Sequence, residues 1–113
     1  MQRIILSTLV MFGLSASFPQ KAKALTPDET AMVLATLVVA TKTCAAKTTN
    51  RPLNVAVAKL GQDLVDFGPN ERYSPLVEVK MKKAFEFIQM HGKQTACNGM
   101  IGTVRRFLPG ILR

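Results

Sequence analysis

With 113 residues, the chain has room for one domain and no more. One histidine and two cysteines exclude a structural zinc site built from those residue types alone, and leave little material for a nucleophile and its base. Fifteen basic residues against seven acidic ones give a formal charge of +8, which favours polyanionic partners.

The amino terminus opens with Met1-Gln2-Arg3 and continues as an uncharged apolar run from Ile4 to Leu14. A short positive start followed by such a run is the pattern of a cleavable secretory signal. As a helix the run would rise only about 16 Å, roughly half the hydrocarbon thickness of a bilayer, so a permanent span is disfavoured. Ala22-Lys23-Ala24 places small residues where signal peptidase needs them, with Ser15-Ala16-Ser17 as a second site. The expected organisation is a signal peptide over 1–24, cut after Ala24, and a single small helical domain over 25–113. No cysteine sits at either cut, so a lipid anchor is not expected. Removing 24 of the 113 residues leaves 89, in which twelve basic and seven acidic residues balance to +5. The expected location is periplasmic or secreted. There the polyanions within reach are lipid headgroups and acidic glycans rather than nucleic acid.

Both cysteines, Cys44 and Cys97, survive processing and are expected to form a disulfide, because export delivers them to an oxidising space. A closed loop of about 54 residues corresponds to roughly 4 kcal/mol of chain-entropy stabilisation.

Thr26-Pro27-Asp28-Glu29 combines a threonine cap, a proline at the first helical position and a glutamate three residues after the cap. A helix therefore starts at Pro27. Its run from Ala31 to Ala40 is apolar almost all round, which makes it the central helix, with Val33, Leu37, Ala40 and Cys44 on one stripe. It is expected to fade near Thr48-Thr49-Asn50, ahead of Pro52. A second helical pattern covers Leu53 to Phe67, with Leu53, Val57, Leu60 and Leu64 on one face and Gly61 placed to break it in two. Phe67-Gly68-Pro69-Asn70 ends it in a turn-rich loop. Ser74-Pro75 launches a third helix to His91, closed by Gly92. Its expected core face is Val77, Met81, Ala84, Phe85 and Ile88, and Glu78 and Lys82 stand in the favourable order for an ion pair on the outer side. The fourth helix is expected from Gln94 or Thr95, with Cys97, Met100, Ile101, Val104, Phe107 and Leu108 at helical spacing until Pro109-Gly110. No segment alternates apolar and polar residues long enough to argue a strand. The fold class is all-α: a small four-helix bundle, within a range of three to five helices, stapled by one disulfide after signal-peptide removal.

No catalytic constellation stands out. His91 lies six residues before Cys97, but a cysteine committed to a disulfide is no nucleophile. Asp63 and Asp66 at i, i+3 make an ordinary solvated face. There is no CxxC motif, no phosphate-binding glycine loop after a strand, and neither a metal nor a cofactor is expected. The most suggestive region is the carboxyl end, which from Phe87 onward has no acidic residue. Lys93, Arg105, Arg106 and Arg113 surround an apolar tail there and are the candidates for contact with a polyanion or an anionic membrane surface. The same residues also suit ordinary packing and helix-end electrostatics.

In outline the processed chain resembles the small periplasmic acid-stress chaperones, helical domains of similar size with one disulfide. No motif accompanies that outline, and one histidine with a positive balance gives little capacity for an acid switch. The sequence thus predicts a non-enzymatic exported module that binds a protein or cell-envelope partner. A membrane-surface-active or chaperone-like stress protein is the alternative.

Overall fold

In the computed structural model, which describes residues 24–113, the capping box at Thr26 closes as its residues require. The Glu29 backbone N–H donates to Thr26 Oγ1 at 3.1 Å, and the Thr26 N–H donates to Glu29 Oε1 at 2.9 Å. Helix α1, Pro27–Thr43, follows and carries the centre of the core: Ala31, Val33, Leu34, Leu37, Val39 and Ala40 are all buried. Thr30 and Thr36 are buried among them without cost in unpaired hydroxyls, because each donates to the carbonyl four residues back. The expected signal peptide lies outside the described residues except for Ala24.

The first helix ends earlier than its composition implies. Cys44 caps it, and Ala45 takes a left-handed turn at φ 58° that lets Ala46 N–H return to the Ala40 carbonyl at 3.2 Å. Cys44, at this end of the helix, is bonded to Cys97, and their Cα atoms stand 5.6 Å apart.

The second helical pattern breaks in two at Gly61, as expected of that glycine. Helix α2, Leu53–Ala58, stops at a turn through Gly61, whose φ of 83° a side chain would strain, and a 3-10 turn, Leu64–Phe67, follows. Asp63 caps that turn by accepting from Val65 N–H at 3.1 Å. Phe67 is buried and packs on Tyr73 with ring centroids 5.1 Å apart, fixing the entry to α3, Ser74–His91. Gly92 ends α3 at φ 85° and leads straight into α4, Lys93–Phe107, one or two residues ahead of the expected start.

The bundle is all-helical, with α1 against both α3 and α4 and those two against each other. Helix α3 covers the core from one side only, and none of its residues is fully buried. Val77, Met81, Ala84 and Ile88 pack inward as expected. Phe85 does not: it is 44% exposed, at the edge of the face that Met81, Ala84 and Ile88 define. The expected Glu78 to Lys82 pair does not form either. Among the described residues the ion pair is instead Lys80 to Asp28, 3.1 Å, between α3 and the first turn of α1.

The chain's last residues are structural. Leu108, Ile111 and Leu112 are buried, and the backbone after α4 lies antiparallel to residues 47–49. Thr49 N–H donates to Ile111 O at 2.8 Å, and Arg113 N–H to Lys47 O at 2.9 Å. Among the described residues, no helix is long and apolar enough to cross a membrane.

Candidate functional site

A cleft of about 580 Å³ lies between α2 and the carboxyl end of α4. Three short segments build it. Leu25 forms one wall, held in place because its N–H donates to Leu60 O at 2.9 Å and its carbonyl accepts from Gln62 Nε2 at 2.7 Å. Pro52, Val55, Ala56 and Lys59 form the second, since residues three and four apart share one side of a helix. Phe107, Pro109 and Ile111 form the third as the chain turns back at the end of α4. Val57 on the adjacent face of α2 packs into the core, and Leu60 beyond the helix is shared between core and cleft.

The lining divides by polarity. Leu25, Val55, Ala56, Leu60, Phe107 and Ile111 give an apolar floor, whereas Arg51, Lys59 and Arg106 stand exposed at its margin. No acidic residue lines the cleft, and among the described residues none of the three cations lies within ion-pair distance of a carboxylate. The outer part of the Arg51 side chain lies over Gly110, and the Arg106 guanidinium sits 5.9 Å from the Phe107 ring centroid. The arrangement offers positive charge at the rim and an aliphatic surface within. The ionisable side chains of the lining are these three cations.

The four basic residues singled out from the sequence do not gather at one place. Arg106 lines the cleft. Arg105 and Arg113 hold down the carboxyl end: Arg105 Nη2 donates to Arg113 O at 2.8 Å and Arg113 Nε donates to Thr48 O at 3.2 Å. Lys93 opens α4, at the far end of that helix from Arg105 and Arg106, a distance of about 18 Å along a helix of this rise. Cys44 and Cys97 form the expected disulfide, which removes the thiol that a cysteine-dependent reaction would need. Arg51 and Lys59 were not anticipated. The signal that could have found them is the apolar pair Val55 and Ala56 of the short α2 segment, bracketed by two cations.

No protein-family profile matches the chain, and neither a curated protein nor a solved structure does. The cleft must be interpreted from its own chemistry.

Proposed function

We propose that the protein is an exported, non-enzymatic binding module whose working site is this cleft, and that its partner is an anionic, partly apolar component of the cell envelope. The observation that carries the reading is the pairing of an apolar floor with three margin cations that lack acidic partners among the described residues. A discrete concave site of this composition suits a defined ligand. Flat adsorption to a membrane draws less support, because Leu108, Ile111 and Leu112 of the basic carboxyl end are committed to the core. The disulfide and the leader pattern support delivery to an oxidising compartment outside the cytoplasm.

A chaperone-like role has one observation of its own. On the outer side of α3, Val79 and Met90 are 51% and 78% exposed, with Phe87 beside them.

Nuclear magnetic resonance separates the two readings. The isotope-labelled, oxidised protein is titrated with a detergent-solubilised envelope extract, and with a reduced, unfolded client protein in a second series. Saturable shifts at Val55, Lys59, Phe107 and Ile111 in the first series support the cleft. Shifts confined to Val79, Phe87 and Met90 in the second transfer the function to α3.

A further inference from the structure

We infer that the cleft takes the carboxylate form of a long-chain fatty acid, one molecule per chain, a proposal that rests on the cleft being the binding site. The floor has no hydrogen-bonding side chain: Leu25, Val55, Ala56, Leu60, Phe107 and Ile111 are its surface. A sugar or a peptide placed there would bury polar groups without partners, at a cost of roughly 1–3 kcal/mol for each, whereas an alkyl chain loses nothing and gains about 0.8 kcal/mol per buried methylene. The bound body of the ligand is therefore aliphatic.

Volume limits its size. The cleft's volume of about 580 Å³ falls inside the range of about 300–1,000 Å³ found for small-molecule sites, room for one alkyl chain.

Charge then selects the head. Leu60 and Ile111 are buried while Arg51, Lys59 and Arg106 are exposed, so the polarity gradient runs from a greasy interior to a cationic mouth. An amphiphile that enters chain first leaves its head among three cations. A zwitterionic head would set its ammonium against them with no carboxylate in the lining to receive it. A purely anionic head meets no such conflict. Two of the three cations are arginines, whose planar fork matches a carboxylate with two parallel N–H donors. Arg51 reaches the mouth across Gly110, and it precedes α2 in the chain whereas Lys59 follows it.

The test uses palmitate below its micelle concentration, titrated calorimetrically into the oxidised protein. Hexadecanol, palmitoyl lysophosphatidylcholine and palmitoyl lysophosphatidic acid are run beside it. The expected result is one equivalent of palmitate, with hexadecanol and the zwitterionic lysolipid each weaker by about tenfold or more, a factor equivalent to about 1.4 kcal/mol. The double variant Arg51→Gln/Arg106→Gln should weaken palmitate by at least about tenfold and change hexadecanol by less than about twofold. Ala56→Phe should block every ligand, and amide spectra of both variants establish that they are folded. Equal affinity for palmitate and hexadecanol, or an unchanged palmitate affinity in the double variant, would overturn the proposal. Tighter binding of lysophosphatidic acid than of palmitate would overturn the carboxylate assignment. If no probe binds while an envelope extract still shifts the cleft resonances, the fatty acid is wrong and the binding site stands.

Discussion

Arg51 lies across the backbone of Gly110, so close that a Cβ built on the glycine would stand 2.7 Å from both Cδ and Nε of the arginine. The two residues are 59 apart in sequence, and their contact joins the segment ahead of α2 to the turn after α4. It also closes one side of the cleft, because Arg51 lines it and Gly110 lies between the lining residues Pro109 and Ile111.

Gly110→Ala is therefore expected to act twice. Its φ of 87° is left-handed, which costs an alanine about 1–2 kcal/mol, and the new methyl group would displace Arg51. Urea unfolding should show the stability loss. In an Arg51→Ala background the same change should cost less, because only the backbone strain remains. A double-mutant cycle without coupling would mean that the arginine moves aside freely.

A second expectation concerns the disulfide. Val39 of α1 and Met100 of α4 pack around Cys97, with Met81, Ala84 and Ile88 of α3 against them, so the bond secures a small cluster apart from the main core. Loss of the cross-link by Cys44→Ser/Cys97→Ser should lower stability by up to about 4 kcal/mol, since the two cysteines are 53 positions apart. Urea midpoints of the oxidised protein and the variant measure it. A difference under about 1 kcal/mol would show that native packing, not the closed loop, holds α1 to α4.

Local chemistry made α1 and α3 legible from sequence. A capping box and a glycine at a helix end each act within a few residues, and the structure starts α1 after Thr26 and ends α3 at Gly92; α3 starts one residue early, with Tyr73 rather than Ser74 in the cap position and no side-chain cap bond. In residues 53–67 the helical spacing of leucines persists through Gly61, and it is the glycine that marks where the backbone turns. Phe85 was misplaced for a related reason: periodicity fixes a face but not how wide the neighbouring helices cover it. The cleft was beyond local reasoning. Leu25, Arg51 and Arg106 meet only through tertiary packing, and the pairing of residues 47–49 with the carboxyl end has no alternating pattern to announce it.

The capping box supplies a third prediction. Thr26→Ala removes the acceptor for Glu29 N–H and should cost about 1 kcal/mol. Because Leu25 precedes the cap and forms a cleft wall, the change should also weaken ligand binding, whereas the stability loss alone would not at temperatures where the protein stays folded. Affinity measured well below the melting transition separates the two effects. An unchanged affinity would mean that the bonds from Leu25 to Leu60 and Gln62 suffice to hold the wall.

The basic residues of the carboxyl end are expected to divide by position rather than by charge. Arg106→Gln should weaken binding of an anionic ligand, because Arg106 lines the cleft, and the loss should shrink as added salt screens the exposed cation. Lys93→Gln removes the same charge at the other end of α4 and should leave affinity unchanged. Arg105→Gln breaks the bond to the Arg113 carbonyl, so its effect should appear as faster amide exchange at Arg113 and Thr49 with little change in binding. Equal losses of affinity in all three variants would instead point to attraction by net charge alone, and the cleft would have no special claim on the ligand.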